Sequence, residues 1–442
     1  MHSIPDTVRV DPRVIPREAH CISRKQISPN ALRVLYRLRD AGFGAYLVGG
    51  AVRDLLIGGA PKDFDVATDA TPDQVRQLFR NCRLIGRRFR LAHVVYGSEI
   101  IEVATFRAHG DDGTGARELD NGRLVRDNIY GTIEEDAVRR DFTANALYYA
   151  IEDFSVRDFV GGFEDVERRV LRLIGDPEAR YREDPVRMLR AVRLAAKLGF
   201  TIDPASAEPI PRLAGLLEQA SSARLFDESQ KLFLAGHGEA GWLGLEQLGL
   251  VEVLFPDSAR ALAADGSGLC RDLLRLALRN TDQRVAEGKP VTPAFLFAAL
   301  LWPAYAGTLQ RMLADGFDMA VAEQRAADRV LLRQTDRIAV PRRFSLPVHE
   351  IWLMQSRFAT RQRKRVFRIM AHPRFRAAYD FLELRAAVVP ELAEEAGFWR
   401  DAQGLEPEAL SERLSHVVAE AAPPRRRRRR RSPRAEGGSA AD

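Results

Sequence analysis

The spacing of hydrophobic residues predicts that the chain begins with an amphipathic helix. Leu32, Leu35 and Leu38 recur every three residues between a polar start at Ser28 and a glycine at Gly42. This spacing places the three leucines on one helical face, and the flanking residues are typical start and stop signals. The first element is therefore predicted to bury one face against a core.

The following residues alternate between short apolar runs and helical patterns, which is typical of a mixed α/β unit. Strands are predicted at residues 45–48, 82–85, 92–96 and 99–106, with a further strand around Asp63 and Asp65, and helices at residues 51–56 and 72–80. Residues 109–122 are rich in glycine and polar side chains, so they are predicted to form a mobile loop.

From about residue 176 onward the apolar spacing is almost entirely helical. Asp184 and Pro185 predict the start of a helix with Asp184 as its N-cap, and Gly199 predicts its end. The fold class is therefore predicted to be α+β, a mixed sheet with helices followed by a long helical remainder.

The net charge is concentrated at one end of the chain. Residues 421–442 contain eight arginines and two acids, a net charge of +6 that equals the net charge of all 442 residues. The first 420 residues are therefore neutral overall. The Pro-, Gly- and Ala-rich tail cannot build a core, so it is expected to be disordered and to attract a polyanion. A purely solubilising end is the alternative.

The sequence argues against a membrane or disulfide-bonded protein. The longest apolar run, residues 294–302, ends at Pro303 and is too short to span a bilayer. The first residues lack a signal-peptide pattern. Cys21, Cys82 and Cys270 are far apart and lack zinc-ligand spacing, which favours a reducing cytoplasm and no structural metal.

One short region carries the strongest chemical signal. Gly49 and Gly50 form a turn whose amides, with Arg53, can approach phosphate oxygens. Asp63 and Asp65 stand two residues apart, so both point to one face of a strand. Two neighbouring carboxylates suit a hard cation such as Mg²⁺. The combination indicates nucleotidyl transfer with two metal ions, whereas a turn with two surface acids is the plain alternative.

Four further motifs follow in order. They are residues 139–146 (RRDFTANA), 158–165 (DFVGGFED), 183–187 (EDPVR) and 224–228 (RLFDE). With them, residues 45–236 resemble the bacterial poly(A) polymerase and CCA-adding tRNA nucleotidyltransferase family, class II of the polymerase-β-like nucleotidyltransferases. The resemblance implies an N-terminal extension (1–27), a nucleotidyltransferase head (28–170), a helical neck (171–240), a helical body (241–400), and a linker with the disordered basic tail (401–442).

The resemblance also implies roles for individual residues. Asp63 and Asp65 match the metal-binding catalytic acids, and Asp141 matches a third acidic position. Arg140 and Asn145 match positions that contact phosphate and ribose. Glu102 is a competing third carboxylate, because its strand could lie beside that of Asp65; otherwise it balances the charge of Arg107 or Arg53.

Asp184 and Arg187, with Glu183, match the family's protein template for the incoming base. Asp184 can accept a hydrogen bond from an exocyclic amine while Arg187 donates to the adjacent ring nitrogen. Adenine and cytosine offer the same order of donor and acceptor, so this motif leaves both bases open. An Asp184 that caps a helix would also have less capacity for a base.

Three basic stretches are candidates for binding RNA. Arg187, Arg190, Arg193 and Lys197 recur at helical spacing, and a second ridge of Arg325, Arg329, Arg333 and Arg337 repeats every four residues. Residues 357–376 hold eight basic residues without an acid, among them Arg363, Lys364, Arg365 and Arg368, and are interleaved with Phe358, Phe367 and Phe375. Such a pattern suits phosphates and stacked bases, although each stretch alone could be a solvated face.

Residues 20–37 and 79–93 and the arginine-rich tail are similar to the poly(A) polymerases of the family. The sequence has no His-Asp pair of the kind that would mark the phosphohydrolase domain of some CCA-adding enzymes. The expected activity is addition of AMP from ATP to RNA 3′ ends, with Mg²⁺ (two ions) or Mn²⁺, in RNA turnover. The expected partners are mRNA, small RNA and tRNA precursors, with an RNA chaperone or degradation machinery as a candidate. A CCA-adding enzyme is the alternative; a silent RNA-binding adaptor and a helical docking platform are alternatives of other classes.

Overall fold

The computed structural model describes residues 11–86, 90–108, 117–120, 123–127 and 129–420. The arginine-rich tail, and residues 109–116 and 121–122 of the predicted mobile loop, lie outside the described residues. Residues 117–120 of that loop form a strand, so the prediction of a loop was wrong there. No helix in the described ranges has the length and apolar character needed to cross a membrane.

The N-terminal part of the chain is built on a mixed eight-stranded sheet. The strands are β1 (Arg13–Ile15), β2 (Ala45–Val48), β3 (Asp65–Thr68), β4 (Cys82–Ile85), β5 (Leu91–Tyr96), β6 (Glu99–Thr105), β7 (Arg117–Asp120), β8 (Arg123–Asp127), β9 (Leu147–Ala150), β10 (Val156–Asp158), β11 (Val170–Leu171) and β12 (Thr201–Ile202). The large sheet has the order β1-β10-β9-β2-β3-β6-β5-β4, in which only β3 and β6 pair in parallel. β7 pairs with β8, and β11 with β12.

The helices begin beside the sheet and then make up nearly all of the described chain after residue 203. They are α1 (Pro29–Asp40), α2 (Gly50–Leu56), α3 (Pro72–Leu78), α4 (Ile133–Arg139), α5 (Gly162–Glu167), α6 (Pro177–Glu183), α7 (Val186–Leu198), α8 (Pro204–Ala207), α9 (Ile210–Leu213), α10 (Ser222–Phe233), α11 (Gly238–Gln247), α12 (Val251–Leu254), α13 (Pro256–Ala264), α14 (Leu269–Ala286), α15 (Pro293–Leu300), α16 (Trp302–Ala314), α17 (Met319–Arg337), α18 (Arg342–Gln355), α19 (Arg363–Met370), α20 (Phe375–Ala386), α21 (Ala393–Gln403) and α22 (Pro407–Glu420). The predicted α+β class is confirmed.

Local sequence signals explain several of these boundaries. Ser28 caps α1 by accepting hydrogen bonds from two backbone amides, and of the predicted leucine face Leu35 and Leu38 are buried while Leu32 is partly buried. Gly199 ends α7 in the left-handed conformation, as predicted. The predicted start of α7 was wrong by one residue, because Asp184 is the C-cap of α6, and α7 begins at Val186 with Pro185 as its N-cap.

Two faces of the large sheet carry different hydrophobic clusters. Leu47 and Tyr149 belong to the main core, which continues from the sheet into the helices as far as Leu384. Val48 and Tyr148 belong to a smaller cluster on the opposite face. Because side chains alternate along a strand, each residue of β2 and β9 can be assigned to one face.

Two predicted domain boundaries differ from the observed elements. The N-terminal extension contributes β1, which pairs with β10 at the edge of the sheet. Residues 401–420, predicted to be linker, complete α21 and form α22. Leu410 and Leu414 of α22 are buried in a second hydrophobic cluster with Trp399, so this segment belongs to the helical body.

Candidate active site

The glycine turn between β2 and α2 lies between a cation and an acid. Gly49 has φ 75° and ψ −140°, a conformation that residues with a side chain rarely adopt. A Cβ atom on Gly49 would lie 3.7 Å from Nη1 of Arg140 and 3.9 Å from Oδ2 of Asp65. Gly50 starts the helix. The turn therefore leaves open backbone beside Arg140 and Asp65, two residues that sequence reasoning assigned to one site.

Three carboxylates influence one another next to this turn. Asp65 begins β3 and pairs with Val48 on one side and Glu102 on the other. Asp63 precedes the strand, so the expectation that both acids lie on it was wrong. The carboxylate of Asp65 reaches solvent but is surrounded by protein, and this burial, with the charges of Glu102 and Asp63, raises its pKa to about 6.

Glu102 does not balance either arginine that the sequence offered as its partner. Its carboxylate lies 3.4 Å from Nε2 of His93 on β5. Arg107 instead contacts Asp136, and Arg53 contacts Asp54. The position of Glu102 beside Asp65 therefore agrees with a third carboxylate of the acid cluster.

Asp141 lies in a different environment from these acids. Its carboxylate accepts hydrogen bonds from Nε of Arg190 (2.9 Å), the backbone amide of Phe142 (2.8 Å) and Nδ2 of Asn145 (3.3 Å). Burial alone would raise its pKa, but the charge of Arg190 and these hydrogen bonds outweigh burial and hold the pKa at about 2. Asp141 therefore links the head to α7 through Arg190, and it is not part of the acid cluster around Asp65.

Arg53 and Asn145 belong to the same polar network. Arg53 is only 3% exposed, and its guanidinium donates hydrogen bonds to Asp54 and to the side-chain oxygen of Asn145. Asn145 in turn donates to Asp141. These bonds connect α2 to α7 through Arg190. Both side chains are therefore occupied within the protein, and their predicted contacts with phosphate and ribose stay predictions.

A buried triad holds Arg140 beside the glycine turn. Nε of Arg140 donates to Tyr148 (2.8 Å) and Nη2 donates to Asp136 (2.9 Å), while Tyr148 also donates to Asp136 (2.7 Å). Burial alone would raise the pKa of Asp136, but the positive charges of Arg140 and Arg107 outweigh burial, and the pKa is lowered. Asp136 was not predicted as a site residue, although its position four residues before Arg140 on a helix is a sequence signal.

The residues that match the base template already contact one another and α10. Oδ2 of Asp184 accepts a hydrogen bond from Arg224 (2.8 Å), and Oδ1 lies 3.3 Å from the amide of Val186. Arg187 donates to the carbonyl of Arg180 and to Glu183, both at 2.8 Å. Arg224 belongs to a motif that the sequence analysis quoted without a role. In the structure, Arg224 of that motif contacts Asp184 of the predicted base template.

Arg180 is another residue that sequence reasoning missed. Its Nη2 donates to the backbone carbonyls of Arg139 (2.7 Å) and Arg140 (2.5 Å), and Nη1 contacts Glu183 (3.1 Å). Burial, with the charge of nearby Arg187, lowers its pKa to about 10. Arg180 therefore links the segment carrying Arg140 to the template helix α6.

Two of the predicted RNA-binding stretches differ in structure. Every predicted cation of α7 is paired with an acid. The pairs are Arg187–Glu183, Arg190–Asp141, Arg193–Glu228 and Lys197–Asp54. Contrary to the prediction, α7 does not present an uncompensated basic face.

The stretch around α19 has an exposed basic surface over an aromatic core. Arg363, Lys364, Arg365 and Arg368 are exposed, and none of them forms a salt bridge within the part of the chain that the structure describes. Phe358 and Phe375 are buried, and Phe367 packs against the same cluster. The phenylalanines are therefore core residues, and the prediction that they stack on bases was wrong.

The glycine turn facing carboxylates on a mixed sheet defines the chain as a nucleotidyltransferase. Three family models match it: "Poly A polymerase head domain" over residues 45–172, "Probable RNA and SrmB- binding site of polymerase A" over residues 199–262, and "Polymerase A arginine-rich C-terminus" over residues 315–434.

Relatives match nearly the full length. Poly(A) polymerase I of Salmonella typhi is 53% identical over 401 residues, which cover 89% of this chain and 86% of that protein. Poly(A) polymerase I of Haemophilus influenzae is 45% identical over 403 residues, covering 90% of this chain and 89% of that protein. The chain belongs to the poly(A) polymerase I family, which confirms the resemblance read from its motifs.

Similarity to CCA-adding enzymes is either shorter or limited to the fold. The CCA-adding enzyme of Bacillus subtilis is 41% identical over 202 residues, covering 46% of this chain and 49% of that protein. A solved structure titled a tRNA-processing enzyme (apo form I) has a TM-score of 0.58 at 20% identity, covering 90% of this chain and 98% of that chain. The first likeness covers about half of each chain, and the second shows a shared fold alone.

Proposed function

We propose that this chain adds AMP from ATP to the 3′ ends of RNA without a template, promoting RNA turnover. The cluster of Asp63, Asp65 and Glu102 beside the open backbone of Gly49 is the observation that carries the proposal, because it brings together a phosphate approach and cation-seeking oxygens. The full-length likeness to poly(A) polymerase I supports adenylate rather than CCA addition.

The donor set fits magnesium. Within the described ranges no group of three or more His, Cys, Asp and Glu side chains is arranged to hold a metal ion by itself. Burial and the charges of Glu102 and Asp63 outweigh the charge of Arg140 and raise the pKa of Asp65, which supports a need for further positive charge at this carboxylate. In the proposal, Asp63 and Asp65 hold two Mg²⁺ or Mn²⁺ ions, and Glu102 supports them. When bound, these ions lower the pKa of the RNA 3′-hydroxyl and neutralise phosphate oxygens.

The chain's own residues would bind and orient the substrates. The amides of Gly49 and Gly50 and the guanidinium of Arg140, fixed by Asp136 and Tyr148, face the triphosphate. Arg53 and Asn145 would reach the phosphates and ribose after exchanging their present hydrogen bonds. The 3′-hydroxyl attacks the α-phosphate, the bond to the β-phosphate breaks, and pyrophosphate leaves. No covalent enzyme intermediate is required.

Asp184 and Arg187 would recognise the adenine edge. Asp184 accepts from N6 and Arg187 donates to N1. Both groups are already held by neighbours, Asp184 by Arg224 and Arg187 by Glu183, so the template is preorganised for hydrogen bonding. The RNA would cross the exposed cations of α19. The match to a model described as a probable RNA- and SrmB-binding site supports RNA as a partner, with SrmB as a candidate protein partner.

The decisive experiment offers the purified protein an RNA of arbitrary 3′ sequence with each nucleoside triphosphate in turn. Long products formed only with ATP are expected. Addition of C and A only to a trimmed tRNA would instead identify a CCA-adding enzyme. RNA binding without any extension would identify a silent adaptor. Asp63→Ala is the matched control, since it should abolish elongation with little effect on folding, and substantial activity in it would remove the metal assignment.

A further inference from the structure

A pocket lies where the N-terminal segment crosses α1 and the turn after β9. It has a volume of about 490 Å³. We call it the rear pocket and define it by three cations and three aromatic residues. They are Arg17, Arg24, Lys25, Tyr36, Tyr149 and Phe154. None of the described residues that line the pocket is acidic.

The rear pocket and the acid cluster lie on opposite faces of the large sheet. Val48 pairs with both Asp65 and Tyr148, so these three side chains share one face. Tyr149 follows Tyr148 on β9 and therefore points to the other face, where it joins the main core. A ligand in the rear pocket is thus separated from the acid cluster by the sheet.

The cations of the rear pocket are not neutralised. Throughout the described ranges, no carboxylate lies within salt-bridge distance of Arg17, Arg24 or Lys25. Of the nearby acids, Asp153 is held by the hydroxyl of Ser155 at 2.7 Å. Three like charges around one depression repel one another, and an anion would relieve that repulsion. This charge pattern favours a phosphate-bearing ligand.

The aromatic residues are fixed in position around these cations. The guanidinium of Arg24 lies 4.4 Å from the centre of the Phe154 ring and donates to the hydroxyl of Tyr36 at 3.1 Å. Phe154 has φ 59°, which residues with a side chain rarely adopt. Its carbonyl is bound by Nε2 of His20 at 2.9 Å. Paired aromatic and cationic groups of this kind bind a base and its phosphate together.

We infer that the rear pocket binds a nucleotide unit, with the phosphate on Arg17, Arg24 and Lys25 and the base on Tyr36 or Phe154. The unit belongs either to a single-stranded RNA segment upstream of the reacting 3′ end or to a free nucleotide. Both sources present the same phosphate and aromatic base, and the experiment separates them.

The test measures binding of a single-stranded oligoadenylate of about twenty nucleotides to the full chain without Mg²⁺ or ATP. The variant is Arg24→Glu with Lys25→Glu, and the matched control is Arg33→Glu with Arg80→Glu, two exposed arginines of the head outside the pocket. If RNA occupies the pocket, the variant should bind on the order of tenfold more weakly, with a salt slope smaller by roughly 1.4, since each contact with single-stranded phosphate contributes ~0.7. The control should bind like the unmodified chain.

Photo-crosslinking identifies the source of the ligand. Oligoadenylate carrying a photoreactive base should label peptides containing Tyr36 or Phe154, and photoreactive ATP labelling these peptides instead would identify a free nucleotide. Labelling by neither probe, or equal losses in the variant and its control, would overturn the inference. In the proposed function, a short primer is extended at the acid cluster, on the other face of the sheet from the rear pocket. Elongation of a short primer therefore tests the proposed function separately from binding in the rear pocket.

Discussion

Asp65 and Asp141 were both predicted to be acidic residues of the active site, but their surroundings are opposite. Asp65 lies beside Glu102 and Asp63, and burial together with these charges raises its pKa to about 6. Asp141 is more enclosed, yet the charge of Arg190 and hydrogen bonds from Arg190, Phe142 and Asn145 hold its pKa at about 2. One carboxylate therefore destabilises the fold and is ready for a cation, whereas the other already has its cation within the protein.

This difference distinguishes charges that the fold has neutralised from charges left for a ligand. The same contrast separates the paired cations of α7 from the exposed cations of α19. Whether a charge has a partner within the protein is therefore a physical criterion for its role. Motif matching alone assigns the same role to paired and unpaired charges. Substitutions on the two sides of this contrast should have different consequences.

The largest expected effect is loss of activity on replacing Asp65. Asp65→Asn should lower the elongation rate on the order of a thousandfold, because metal-supported charge stabilisation is worth several kcal/mol. The same variant should be more stable than the unmodified chain without metal at pH 7.5, since it removes a repelled carboxylate. Elongation assays and thermal unfolding measure the two effects. Mg²⁺ should raise the unfolding temperature of the unmodified chain but not of the variant.

The second effect is loss of stability on replacing Asp141. Asp141→Asn leaves Arg190 without its partner and should lower the free energy of unfolding by roughly 2 kcal/mol, the value that corresponds to the depressed pKa. Denaturant unfolding measures it. The double variant Asp141→Asn with Arg190→Met should recover part of the loss, because the uncompensated guanidinium is also removed. A stable Asp141→Asn protein would contradict a structural role for this pair.

The two carboxylates should also respond differently to pH. A raised pKa means that folded Asp65 binds a proton more tightly than unfolded Asp65, so its destabilising effect is complete above pH 6 and disappears near pH 4. The stability gained in Asp65→Asn should shrink over that range. The loss in Asp141→Asn should stay constant from pH 8 to pH 4, since its pKa lies near 2. Parallel pH profiles for the two variants would contradict the assigned environments.

Much of the head was predictable because its signals are local. The bounds of β2 agree with prediction, and Ser28 caps α1 as expected. The location of Asp65 beside the Gly49 turn also follows from motif order. Partners distant in sequence were not predictable: Arg190 lies 49 residues from Asp141, and Arg224 lies 40 residues from Asp184. Charge spacing on α7 therefore predicted a basic face that tertiary packing neutralises.

The smallest expected effect concerns RNA binding by the basic regions on α7 and α19. Lys364→Ala, Arg365→Ala and Arg368→Ala together should reduce the salt slope of single-stranded RNA binding by roughly 2, since each lost phosphate contact removes ~0.7. Arg193→Met on α7 should leave that slope unchanged, because its guanidinium is already bound to Glu228 at 2.9 Å. It should instead lower stability by about 1–3 kcal/mol, since Glu228 is buried and loses the closer of its two donors, keeping only Lys231 at 3.5 Å. Fluorescence anisotropy across a salt series measures the slopes. A reduced slope in Arg193→Met would mean that RNA can displace internal acids, and the distinction between neutralised and ligand-binding charges would then fail for cations.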